Sequence, residues 1–312
     1  NQISIFTNSG VQLVGTNASQ ISFDAQGTMT AAAQWNADPS QRGVGTLMLT
    51  SPNGNSVDLI QSNAVRSGQI AAFLQMRDQD LVQAQNQLDA LASAMAKALS
   101  DKTTTGSTAT SGLQNGFDVD IGSLQAGNTI TINYTDGLTQ TPHTITLVRV
   151  DDPSALPLSD GATSTPNDKV FGIDFSGGIG SVYGQINAAI ASTGMVASNP
   201  IGTTLRILDD GAGNIVDVNS LSTTVTETSL TGGGSELPFF TDGPQVYTGA
   251  INGLHAQILG LAGRIAVNSA LVADSSKLVV YQTGTAAGDS TRPDFIYRQL
   301  VDSARLFSPD TG

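Results

Sequence analysis

The sequence predicts an α+β, multidomain and elongated protein, with antiparallel long helices forming a rod-like domain into which β-rich domains are inserted. Three observations carry this prediction. Residues 67–101 hold one long stretch of helical periodicity, residues 246–308 hold a second apolar stripe, and the remainder reads as short alternating apolar runs broken by Gly, Asn, Ser and Thr. At 312 residues the chain exceeds one ordinary domain. Four parts follow: a β-rich domain (1–66), a long helix of the rod-like domain (67–101), an inserted small α+β domain (113–232) and returning helices of the rod-like domain (246–308).

The first part reads as a meander of hairpins. Runs at 3–6 and 11–14 flank Asn8-Ser9-Gly10, runs at 21–23 and 28–33 flank Gln26-Gly27, and runs at 45–50 and 56–60 flank Pro52 to Asn55. Ile3, Ile5, Leu13, Ile21, Phe23, Leu47, Leu49, Val57 and Leu59 alternate with their neighbours, as a sheet covered on one face requires. The only Trp, Trp35, falls between strands.

In the long helix, Leu74, Leu81, Leu88 and Met95 recur every seven residues, and Ala84, Leu91 and Ala98 follow three behind. Such a stripe requires a partner helix. The second stripe, Ile251, Leu254, Ile258, Leu261 and Ile265, supplies it, with Asn268 as a register-fixing polar residue in the seam. The outward residues Arg77, Asp78, Asp80, Gln83 and Lys97 then form a candidate assembly surface. Between the two stripes, residues 100–116 are nearly all Thr, Ser and Gly and read as a flexible crossing. The insertion continues with strands at 117–121, 129–134 and 143–150, a helix at 181–192 ending near Gly194, and strands at 204–208, 215–218 and 223–228. Residues 231–235 read as an exit linker. A last short helix, 293–307, starts at Pro293 with Asp294 in its first turn and Pro309 beyond its end.

The order Ser67, Gly68, Ile70, Leu74, Arg77, Asp78, Leu81, then Gln85, Leu88, Leu91 and Ala92, resembles the central helix of the flagellar hook-associated protein 1 family. The hairpin from Ile3 to Gly15 is similar to the segment that precedes this helix in the family. The resemblance covers about half the chain, fades past Ser100 and recovers weakly near Leu254 to Leu278. It implies a structural subunit of the bacterial flagellum that joins hook to filament, extracellular, exported through the type III flagellar channel, without catalysis or cofactor. The implied partners are the flagellar hook protein, the second junction protein and neighbouring copies of the chain. The family also has heptad-bearing terminal helices that this sequence does not contain. Its export chaperone would be reached only through such a terminal helix, and this sequence is expected to be a trimmed middle, monomeric in dilute solution.

Composition narrows the alternatives. The net charge of -13, with 26 acidic against 13 basic residues, argues against nucleic acid as a partner. No apolar run approaches the roughly 20 residues of a membrane helix, so no membrane is expected. Cysteine is absent, which excludes disulfides and thiolate metal sites and suits a chain exported unfolded.

The remaining motifs read as structural. Asp310-Thr311-Gly312 matches the aspartic-protease triplet, but it follows a helix and has no second copy. His143 and His255 have neither a nucleophile motif nor a metal-spaced second His. Asp209 to Asn214 with Asp217 lacks the alternating acids of a calcium loop and reads as a hairpin turn. Ser176 to Gly180 lacks the phosphate-loop Lys and reads as a turn leading into a helix. Asn17-Ala-Ser and Asn133-Tyr-Thr match glycosylation acceptors, incidental in the bacterial protein that the resemblance implies. The alternative function is a surface-exposed glycan- or host-binding module of an appendage, with Tyr134, Tyr183 and Tyr247 stacking on sugar.

Overall fold

The computed structural model describes residues 3–25, 28–253, 256–308 and 311. Helix and sheet are both well represented, so the α+β class holds. The chain divides into two compact units, Asn1–Gln87 and Leu88–Gly312.

The first unit contains a two-stranded ribbon, β1 (Ile5–Phe6) with β2 (Gln12–Val14), and a three-stranded antiparallel sheet of order β3 (Gln20–Asp24), β4 (Thr46–Thr50), β5 (Ser56–Asp58). Its buried cluster is small: Leu49, Leu59 and Ala64, with Val11, Leu13, Leu47 and Val65 against them. Of the expected apolar face, Ile3, Ile5, Ile21, Phe23 and Val57 are exposed. The alternation is real, yet three strands with only partial cover shelter only the residues nearest the centre. Residues 28–33 form no strand. Gln26 and Gly27 lie outside the described residues.

Polar contacts compensate for the small core. Arg42 donates to Asp58 Oδ2 at 2.7 Å, and Asp58 Oδ1 accepts from Thr46 Oγ1 and from the N–H groups of Ile60 and Gln61. Arg42 also lies over the Trp35 ring, 5.3 Å from its centroid. Burial pushes the Asp58 carboxyl up, but these donors outweigh it and hold the group below its ordinary value.

Helix α1 (Gly68–Gln75) runs through one π-helical turn, Met76–Asp80, into α2 (Leu81–Ser100). The Leu81 N–H bonds to the Met76 carbonyl five residues back, which defines that wider turn.

Past α2, strands and one helix build a two-sheet domain. β6 (Asp101–Thr105), β7 (Ser107–Ser111), β8 (Gln114–Asp120), β9 (Thr129–Asp136), β10 (Thr141–Val150) and β11 (Lys169–Asp174) precede α3 (Ile179–Ile190); β12 (Val196–Ser198), β13 (Thr204–Leu208) and β14 (Val216–Thr226) follow it. One sheet has the order β11-β10-β9-β14-β6, the other β12-β13-β8-β7. Only β10 and β11 run parallel. Val182, Ile186 and Ile190 of α3 are fully buried and join Ile130, Ile132, Ile145, Leu147, Leu205 and Ile207 in the main core. The 100–116 stretch is therefore no flexible crossing: β-branched Thr takes extended backbone readily once a ladder partner is present. The inserted domain starts at 101 rather than 113.

The returning helix is a second correction. Residues 246–267 hold β16 (Gln245–Val246), which pairs with β15 (Phe240–Asp242), an isolated bridge between Ile251 and Ala256, a 3-10 turn at Leu261–Gly263, and β17 (Ile265–Val267). Glycines at positive φ, Gly249 and Gly260, break helical continuity. Side chains then take the backbone groups that a helix would have used. Gln257 Oε1 accepts from the N–H groups of Thr248 and Gly249, and Asp89 accepts from those of Gly260 and Ala262. Only α4 (Ser269–Ala273) is helical nearby, and Asn268 is its N-cap rather than a seam residue. Leu254 and His255 lie outside the described residues.

The final helix, α5 (Thr291–Val301), keeps Asp294 in its first turn and ends before 307. Its Arg292 is fully buried and donates to the carbonyls of Leu230, Gly234, Glu236 and Lys277, so the Gly-rich 231–235 stretch is wrapped around a guanidinium. Burial pushes Arg292 down from its ordinary value, opposed by Glu227 and Glu236. Pro309, Asp310 and Gly312 lie outside the described residues.

Candidate assembly surface

The long helix has two faces with different fates. Asp89, Ala90, Ala92, Ser93, Ala96, Leu99 and Ser100 of α2 are buried. Ala92 and Ala96 pack with Leu261 and Tyr247, against Phe240, Ala262 and Ile265. Small side chains let the backbone around Tyr247 and Leu261 approach the helix, and the Asp89 carboxylate ties down Gly260 and Ala262. Helix and returning segment do meet, but through Ala92, Ala96 and Asp89 rather than through the leucine stripe.

The stripe instead faces out. Leu81 is 59% and Leu88 58% exposed, and Leu91, Ile70, Phe73 and Met76 are exposed too. Leu74 and Met95 are half-buried. Phe23, Leu47, Ile70, Phe73, Leu74 and Arg77 line an apolar hollow of about 270 Å³ within the first unit. In the second stripe Ile251, Ile258 and Ile265 are half-buried and Leu261 is buried.

Among the candidate polar residues, Arg77 and Asp78 are engaged with each other by two hydrogen bonds, and Arg77 also donates to the Gly45 carbonyl at 2.8 Å. Asp80 and Gln83 are exposed, and Lys97 is half-buried. Sequence reasoning missed Asp89 and Arg292, because nothing local shows which distant backbone a charged side chain will hold.

The other candidates resolve into structural roles. Asp209 and Asp210 accept backbone N–H groups of Asn115, Gly211 and Ile215, as a turn requires. Gly178 precedes α3 at φ +81°. His143 stacks on Tyr134 at 5.3 Å. Tyr247 is buried with its hydroxyl on Ser93, and the Tyr183 hydroxyl donates to the Thr204 carbonyl. A polar cleft of about 880 Å³ contains Arg149 and Arg264, but each forms a two-point pair with an aspartate, Asp151 and Asp242, and spends a remaining donor on a backbone carbonyl.

Residues 1–118 match the family model described as the flagellar hook-associated protein FlgK helical domain. Over that stretch the sequence is FlgK-like. The matched stretch contains the small-core unit, α1 and α2, and with them the exposed leucine stripe. No curated protein and no solved structure matches the chain.

Proposed function

We propose that this chain is a structural subunit of the junction between flagellar hook and filament, outside the cell, contacting the hook protein, a second junction protein and neighbouring copies of itself. The observation that carries the reading is the exposed apolar stripe on a helix that matches the FlgK helical domain. Covering one large aliphatic side chain contributes roughly 1.5–3 kcal/mol, so a helix displaying Ile70, Phe73, Leu81, Leu88 and Leu91 gains from any helical neighbour that fits it. Helices of the assembled full-length protein are the proposed neighbours, and together they make the rod-like part. The 101–226 domain contributes lateral contact rather than chemistry.

The test is the double variant Leu81→Glu, Leu88→Glu in the full-length protein. Both positions are exposed, so the purified variant is expected to melt within about 2 °C of the parent, while cells carrying it lose filament attachment and swim no better than cells lacking the gene. Normal filaments on such cells would refute the stripe as an assembly seam.

A further inference from the structure

One polar cluster in the two-sheet domain is arranged for more than holding strands. Asp101 on β6 lies opposite Thr226 on β14, and Asn128 stands just before β9. Asn128 is 3% and Thr226 1% exposed. The Asn128 Oδ1 accepts two backbone N–H groups, from Gln125 at 2.9 Å and from Thr226 at 3.2 Å. These two donors fix which end of the amide is oxygen. Its Nδ2 donates to the Thr226 hydroxyl at 2.8 Å, and that hydroxyl donates to Asp101 Oδ1, also at 2.8 Å.

These groups supply the four parts of an acyl transfer. Thr226 Oγ1 is the nucleophile, the Asp101 carboxylate receives its proton, and Asn128 Cγ is the acyl carbon. The N–H groups of Gln125 and Thr226 stand where negative charge develops on Oδ1. Burial of Asn128 and Thr226 keeps water from competing. Burial also pushes the Asp101 carboxyl up, against Lys97 and the Thr226 and Ser100 hydroxyls, which makes it a better base than an exposed aspartate. Asn133 is the contrast within the same sheet. Its amide meets the Ser220 and Thr144 hydroxyls, but among the described residues no carboxylate and no backbone N–H bonds to that side chain.

We propose that the chain cross-links itself by an ester between Thr226 and Asn128. As the amide plane turns toward the hydroxyl, Thr226 Oγ1 bonds to Asn128 Cγ and Asp101 takes the hydroxyl proton. Asp101 then returns that proton to Nδ2, the Cγ–Nδ2 bond breaks, and ammonia leaves. Nothing is oxidised or reduced, and no co-reactant enters. The joined residues are 98 apart in sequence, so β9 to β14 and α3 come to lie inside one closed loop. In a chain without cysteine this is the covalent tie that a disulfide would otherwise make. A carboxylate is a weak base for a hydroxyl, so the reaction is slow, and the ester accumulates as the folded protein ages. The inference stands apart from the junction reading, because it involves only this chain.

The test is to incubate the purified chain at neutral pH and follow its mass. The expected product is lighter by one ammonia, its digest contains one joined pair of peptides bearing Asn128 and Thr226, and hydroxylamine reopens it. Thr226→Ser keeps the hydroxyl and should still react, whereas Thr226→Val should form no joined pair. Asp101→Asn keeps nucleophile and acyl carbon and should react roughly a hundredfold more slowly, so the base is tested even where Thr226→Val fails to fold. Exposed Asn–Gly pairs such as Asn53-Gly54 also lose ammonia, by ring closure on the next backbone nitrogen. Ammonia loss that maps only to such pairs, a joined pair forming equally fast in Asp101→Asn, or an unchanged mass would overturn the proposal.

Discussion

In the two-sheet domain the strand residues Ile130, Ile132 and Leu205 are no more than 1% exposed, whereas in residues 1–87 the comparable strand residues Ile5, Ile21 and Phe23 are about half exposed, at 49%, 51% and 56%. The first region encloses its own core from two sheets and α3. The second holds together around Leu49, Leu59 and Ala64 and an Arg42–Asp58 contact, and leaves much of its apolar surface on display. One region is thermodynamically self-contained; the other reads as a surface made to be finished by something else.

The sharpest way to break this contrast is a pair of core truncations. Leu205→Ala should cost about 3–5 kcal/mol, since its surroundings cannot collapse around the void, and Leu49→Ala about 2–3 kcal/mol, since a thin layer relaxes more easily. Urea unfolding, with a probe in each region, measures both; equal costs would remove the distinction.

Next in size is a pH comparison of two aspartates with opposite shifts. Asp58 is held below its ordinary value, so its stabilisation is complete above the unfolded-state pKa and is lost as pH falls through the folded one, below about pH 4. Asp101 is pushed up by burial, against Lys97 and the Thr226 and Ser100 hydroxyls. Its contribution is therefore present below the unfolded-state pKa and is lost as pH rises through the raised folded value. Asp58→Asn should destabilise by about 2–3 kcal/mol at pH 7 and much less at pH 3. Asp101→Asn should stabilise at pH 7, with the gain vanishing in acid. Melting curves of the two variants against pH test the signs.

The smallest effect belongs to the display itself. Leu81→Ser should change stability by less than about 0.5 kcal/mol, because nothing among the described residues buries that side chain. A larger loss in thermal unfolding would mean that the exposed stripe is part of the fold.

Much of this was legible in the residues. Periodicity located α1, α2 and α3, and alternation located β8, β9, β10 and β13, because both signals are local. Apolar spacing alone makes 251–265 resemble a helical stripe, while Gly249 and Gly260 at positive φ, with Gln257, Asp89 and Arg264 competing for the backbone, set the outcome. The strands β6 and β7 were missed for the converse reason. Thr and Ser look like linker composition until β14 and β8 supply the ladder. Of the candidate surface, the leucines were visible as a stripe, but which face lay inward was decided by Ala92, Ala96 and Asp89, whose partners are more than 150 residues away in the chain.

The π-helical turn at Met76–Asp80 bears on how that stripe can be read. A wider turn absorbs one extra residue, so everything beyond it is rotated by about 100° relative to an uninterrupted helix. Counting sevens from Leu74 to Leu81 passes straight through this slip, and the two leucines no longer share a meridian. The same slip turns Leu81 to within about 20° of Phe73, so a straight neighbour seated over Phe73 also meets Leu81 and leaves Leu74 to one side.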